Sequence, residues 1–156
     1  MYQNIVVPLD GSKLAECVLP HAEALAKLSN GEITLVSVTE RIQGYGLMED
    51  RSEPLGVRLE PEAMGKMERQ ADRYLSRIAK GLEAKGIKVQ TAVLLGNPAE
   101  EIALYVKLHP CDLIIMASHG RSGPSKWAHG SVAEKIFRAS CVPLLMVRAP
   151  GCFVST

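Results

Sequence analysis

A chain of 156 residues, 47% hydrophobic and 22% charged, has the size and composition of one soluble globular domain, able to bury roughly 70% of its unfolded surface without disulfide staples. No apolar run approaches the ~18 residues of a membrane span, and a net charge of +1 supplies no general attraction to nucleic acid or anionic lipid. The opening Tyr2-Gln3-Asn4 has neither a basic region nor an apolar signal core, so a cytoplasmic location is expected.

The first apolar run, Ile5-Val6-Val7-Pro8-Leu9, stops at the turn Asp10-Gly11-Ser12 and reads as a strand. Leu14, Val18, Leu19, Ala22, Leu25 and Ala26 then recur at helical spacing. Pro20 lies inside that pattern, where its ring removes a backbone hydrogen bond, so a kink near Glu16 is expected. Ser29-Asn30-Gly31 closes the unit, and Ile33 to Val38 form a second strand. From Thr39 to Glu60 no period is visible; connections this long are functional or mobile. Pro61 suits the first turn of a helix carrying Met64, Met67, Ala71, Tyr74, Leu75, Ile78 and Leu82, with both methionines in the core and Gly86 as the stop.

Ile87 to Val93 begins by alternating apolar and polar residues, the pattern of an edge strand. Asn97-Pro98 supplies a helix cap and a first-turn proline, and Ile102, Ala103 and Val106 mark the buried side. Leu113 to Ala117 is uninterrupted apolar sequence, as expected of a central strand covered on both faces. A last helix runs from Ser131 to Arg138, and Val142 to Val147 form a strand that Pro143 places at an edge. Strands alternating with helices make a doubly wound, five-stranded parallel α/β sheet of order 3-2-1-4-5, helices on both faces. Residues 1–149 form the domain and 150–156 a short tail. Cys17, Cys111, Cys141 and Cys152 show no metal-site spacing and read as reduced thiols, with Cys111 and Cys141 as small core residues.

The stretch from Met116 to Val132, Met-Ala-Ser-His-Gly-Arg-Ser-Gly-Pro-Ser-Lys-Trp-Ala-His-Gly-Ser-Val, leaves the central strand as a loop of glycines, hydroxyls and bases. Glycine lets backbone approach an anion closely, and the N–H groups of a helix start point at it with the positive end of the dipole. Arg121, Lys126, Lys135 and Arg138 face a single acid, Glu134, between Ser118 and Arg138, a local charge of +3 against −2 elsewhere. In this sheet order the first and fourth strands are neighbours at the reversal point, where ligands bind, and Asp10 and Gly120 both fall there.

These residues resemble the universal stress protein family over nearly the whole chain, specifically its nucleotide-binding branch. That branch carries glycine, two residues, glycine, nine residues, glycine, then serine or threonine. Here Gly120 is the second glycine, Arg121 to His129 the nine residues, and Gly130-Ser131 the close, while Ala117 replaces the first glycine. Val6-Val7-Pro8-Leu9-Asp10-Gly11-Ser12 and Val142-Pro143-Leu144-Leu145-Met146-Val147 match as well. The resemblance implies a Rossmann-like fold, a homodimer joined through the last strand, and ATP, or AMP or ADP, at the ends of strands one and four. It implies Asp10 and the Val38 backbone near the adenine and Pro8, Asp10 and the Ala117 position by the ribose, with Met116 among the nucleotide-binding residues. It implies that the phosphates would meet backbone N–H groups around Gly120, Gly130, Ser131 and Val132 and the Ser131 hydroxyl, with any Mg²⁺ bridging phosphates and water; from its own chemistry, the Arg121 fork reads as a phosphate clamp.

Other readings of the same residues stay open. Ser131 with Glu134 three residues on is a capping box, Asp10 is also a turn residue, Trp127 also a packing anchor, and His119 and His129 also ordinary loop side chains. No G-x-x-x-x-G-K-[ST], G-x-G-x-x-G or G-x-S-x-G occurs, which excludes a P-loop NTPase and argues against a dinucleotide dehydrogenase and a nucleophile-elbow hydrolase. The loop offers charge but no obvious acid to orient water, so binding with little hydrolysis is expected, without catalytic residues or a protein metal site. The competing functions are a slow ATPase and a dimeric module that meets an unknown protein partner and has lost its nucleotide.

Overall fold

Five apolar runs pair as one parallel sheet of order β3-β2-β1-β4-β5, with β1 at Asn4–Pro8, β2 at Glu32–Thr39, β3 at Lys88–Leu95, β4 at Leu113–Ala117 and β5 at Leu144–Val147. The computed structural model describes residues 1–40, 58–59, 62, 64–118 and 131–148. The helices are α1 (Leu19–Ser29), α2 (Lys66–Glu83), α3 (Pro98–Leu108) and α4 (Ser131–Ala139). This is the Rossmann-like doubly wound architecture expected.

Alternation of side chains across the sheet divides the core in two. Ile5, Val7, Leu9, Leu113, Ile115 and Ala117 face α1 and α2, while Val6, Ile114 and Met116 face α3 and α4 with Ile102, Val132 and Ile136. Every residue of β4 is buried, which explains its lack of polar interruption. The N-terminal ends of β1 and β4 are tied by Asp112, whose carboxylate accepts from the Gln3 and Asn4 N–H groups at 3.0 and 3.1 Å.

Four local expectations are corrected. Pro20 does not kink a long helix: a 3₁₀ turn, Ala15–Val18, precedes α1, and Pro20 occupies the first turn of α1, where its missing N–H breaks no intrahelical bond. Helix α2 begins at Lys66, after Gly65, so Met64 precedes it. Met64 is buried in the approach, and the nearby Leu59 N–H donates to the Val93 carbonyl at 2.9 Å, covering part of the β3 edge. Met67 is 42% exposed rather than core. Cys141 is also exposed, because it lies in the connection outside the β5 ladder; Cys111 is half-buried, and burial pushes its thiol up to about 11.

Gly86, at φ +84, stands just beyond α2 as the expected stop, and Asn97 caps α3 by accepting from the Ala99 and Glu100 N–H groups. Among the described residues, one buried side-chain polar atom is unsatisfied: the Tyr74 hydroxyl on α2 has no hydrogen-bond partner there. Burial, then the nearby negative charges of Glu16 and Asp10, hold its pKa above the usual phenol range. Because an unpaired buried hydroxyl costs about 1–3 kcal/mol, Tyr74→Phe is expected to stabilise the fold by about 1 kcal/mol, read as a higher urea midpoint at unchanged slope. An unchanged or lower midpoint would count against the unsatisfied hydroxyl.

Candidate functional site at the carboxyl ends of β1 and β4

Strand β1 pairs with β2 on one side and β4 on the other, with Val6 opposite Ile114. Pro8 ends β1 and Ala117 ends β4, so the two parallel strands deliver their carboxyl ends to the same edge of the sheet. The chain passes from β1 to α1 on one face and from β4 to α4 on the other, the reversal point at which doubly wound sheets bind ligands.

Pro8 ends β1, and the Leu9 N–H still donates to the Val36 carbonyl at 2.8 Å. The chain then turns through Gly11 at φ +88, a left-handed conformation that disfavours a side chain. Asp10 is only 7% exposed. Its Oδ1 accepts from the Ser12 N–H at 2.9 Å and the Ser12 hydroxyl at 2.6 Å, while Ser12 Oγ accepts from the Ala15 N–H at 3.2 Å. The turn role of Asp10 is therefore real, and it fixes the carboxylate just past the carboxyl end of β1.

Val38 is half-buried opposite Leu94 near the end of β2. Met116 faces the α3 and α4 core, whereas the Ala117 methyl lies in the core on the α1 and α2 side at 6% exposure. The Ser118 N–H donates to the Val147 carbonyl at 2.8 Å, extending the β4 to β5 ladder by one bond. Val132, 8% exposed in the first turn of α4, packs in the opposite core. Ser131 is the first residue of α4. Glu134, its proposed capping-box partner, directs Oε1 to Arg138 at 2.7 Å. Gly120, Arg121 and Gly130, with His119, Trp127 and His129, lie outside the described residues.

Two acidic side chains at the carboxyl edge of the sheet escaped the sequence reading. Glu101, in the first turn of α3, is 2% exposed. A Cβ on Gly96, at φ +141, would come 2.9 Å from its Oε1, so glycine is needed there for conformation and for space. Glu68 accepts from the buried Thr39 hydroxyl at 3.4 Å. The available signals were the Gly96-Asn97-Pro98 turn and the acidic first turn after it. Among the described residues no three His, Cys, Asp or Glu side chains group as a metal site, and no helix is long and apolar enough to cross a membrane.

A five-stranded parallel sheet of order 3-2-1-4-5 with helices on both faces defines the Rossmann-like doubly wound class. Within that class, the model of the universal stress protein family matches residues 1–148, and the chain belongs to this family. It is 32% identical to universal stress protein MJ0577 of Methanocaldococcus jannaschii over 156 residues, covering 95% of this chain and 96% of that protein. Universal stress protein MJ0531 of the same organism is 30% identical over 150 residues, covering 96% and 84%. The solved structure of MJ0577 superposes with a TM-score of 0.76 at 29% identity over 97% and 99% of the two chains. The fold is shared with a universal stress protein in complex with cAMP, at TM-score 0.64 and 18% identity over 95% and 98%. It is shared too with the Archaeoglobus fulgidus protein in complex with dAMP, at 0.62 and 18% over 93% and 97%.

Proposed function

We propose that this protein is a regulator that binds ATP, or AMP or ADP, in the crevice between β1 and β4 and hydrolyses it little or not at all. The observation that carries this reading is Asp10, a buried carboxylate fixed by Ser12 just past the carboxyl end of β1. A carboxylate there accepts hydrogen bonds from ribose hydroxyls. Adenine nucleotides bound to relatives of the same fold support the ligand class.

In this reading Asp10 and the Val38 backbone lie near the adenine, Pro8, Asp10 and Ala117 border the ribose, and Met116 belongs to the same site. Ser131 and Val132 at the start of α4 present backbone N–H groups to the phosphates, where the dipole favours anions, and Gly120 and Gly130 of the family motif contribute theirs. Arg121 adds a fork that grips two oxygens and keeps its charge at any working pH. Mg²⁺ is carried on the phosphates and water. With no acid assigned to orient water, turnover by purified protein is expected to stay below about 1 s⁻¹. Residues 1–149 act as the nucleotide-binding domain, followed by the tail 150–156, in a cytoplasmic homodimer joined at β5. There Leu145 and Met146 are 37% and 46% exposed, and apolar side chains on an unpaired edge favour strand pairing.

Mass spectrometry of small molecules released on denaturing freshly purified protein tests the ligand directly: an adenine nucleotide near one per chain is expected. None, together with no thermal response to ATP, would favour a module that serves only an unknown protein partner. Ala117→Gly tests the departure from the family motif. Because the methyl lies in the α1 and α2 core, its removal is expected to leave ATP affinity unchanged and to cost about 1 kcal/mol of stability. A large gain in affinity would place the methyl against the sugar instead.

A further inference from the structure

The solvent face of α2 carries a row of charge that the nucleotide reading does not use. Lys66, Arg69, Arg73, Arg77 and Lys80 follow one another at intervals of three, four, four and three residues. At 3.6 residues per turn this places all five on one narrow stripe, about 21 Å long. All five are exposed, and the stripe is opposite the buried residues Leu75, Ile78, Ala79 and Leu82. Like charges at these spacings repel and destabilise a helix, and soluble helices usually alternate the signs. Among the described residues, no ion pair engages any of the five; the pairs join Glu23 to Lys27 and Lys85, and Glu134 to Arg138. Arg77 is placed over the Tyr74 ring, 5.6 Å from its centroid, which limits its freedom before any partner arrives.

A second feature lies on the same face. A surface depression of about 490 Å³ opens at the start of α2 between Met64, Gly65, Lys66, Arg69, Gln70 and Arg73. Gly65, in the N-cap position, offers no side chain to satisfy the first-turn N–H groups. One end of the stripe is thus a concave, cation-lined seat and the rest a straight row. Helix α2 packs on β2 and β3, at the sheet edge away from β5, so pairing through β5 leaves this face open.

We propose that the α2 stripe docks an acidic helical segment of a partner protein, its carboxylates spaced three and four residues apart to match the row. The repeat of charge along the stripe equals the pitch of a helix, and guanidinium groups hold carboxylates in bidentate pairs. Glu68 and Asp72 flank the row on one side and repel a polyanion broad enough to overlap them, such as duplex nucleic acid. Met67 is the one large apolar side chain exposed along α2, too little to anchor the helix in a lipid surface. The overall charge of +1 likewise leaves recognition to the row itself.

The test uses the full chain and a fluorescent alanine-based peptide of roughly 20 residues whose glutamates repeat the spacing of the stripe, in fluorescence anisotropy at low salt. Binding about tenfold tighter than to a peptide of the same composition with scrambled glutamates is expected, weakening as salt rises. The neutral variant R69Q/R73Q/R77Q is expected to lose about tenfold or more in affinity, with an undiminished Tm because like-charge repulsion is relieved. Equal binding of the scrambled peptide, no binding of either, or full affinity in the variant overturns the proposal. So does tighter binding of a single-stranded oligonucleotide or of phosphatidylserine vesicles. ATP binding is read separately in the same variant and is expected to be unchanged, so the two readings fail independently.

Discussion

Mg-ATP at 100 times its Kd is expected to raise the unfolding free energy by about 2.7 kcal/mol, because a ligand that binds only the folded state adds RT ln(1 + [L]/Kd). For a chain near 150 residues each kcal/mol moves Tm by about 2–4 °C, so the midpoint rises by about 5–10 °C. Gly130→Asp is expected to abolish that rise by setting a carboxylate among the phosphates. Gly130 immediately precedes α4, and an acid before a helix start interacts favourably with the dipole. Unfolding of the variant without ligand is measured alongside, so that a lost response is assigned to binding and not to folding. Differential scanning fluorimetry of both proteins with and without Mg-ATP makes the measurement. A full response in the variant would mean that the phosphates lie elsewhere.

Ile115→Ala is expected to cost about 2–5 kcal/mol. Ile115 is 0% exposed at the centre of β4 and packs with Val7, Leu35 and Ala22 in the core under α1 and α2. The loss combines transfer of the side chain with the cavity left behind, and neighbours held on three parallel strands have little room to close it. Since domains of this kind have only about 5–15 kcal/mol to lose, a substantial share of the total goes with one side chain. Leu145→Ala on β5, where the residue is 37% exposed, should cost far less in the monomer. Urea unfolding of the two variants gives the comparison, and similar losses would contradict the placement of β4 inside the sheet and β5 at its edge.

The order of the sheet was legible because exposure writes itself into strands. Unbroken apolar sequence at Leu113 to Ala117 belongs to a strand covered on both faces, and Pro143 belongs at an edge; both placements agree with the observed order. Asp10 was legible as both a turn residue and a site candidate, and the bonds to Ser12 show the first without removing the second. Pro20 was misplaced because the apolar spacing continues smoothly from the 3₁₀ turn into α1, and only backbone geometry marks where one ends. Glu101 was missed because nothing in an acidic first turn distinguishes a solvated carboxylate from one buried against a glycine.

By itself, the order of residues determined the alternation of strands and helices, the parallel sheet and the family, since periodicity, caps and motif spacing are local properties of the chain. Only the tertiary structure decided which side of the sheet receives each side chain. It turned the Ala117 methyl into one core and Met116 into the other, left Met67 and Cys141 exposed, buried the Tyr74 hydroxyl without a partner, and brought five cations of α2 to the surface in one row. The physical reason is that burial is set by what packs against a residue from distant parts of the chain, and that information exists only once the strands have paired.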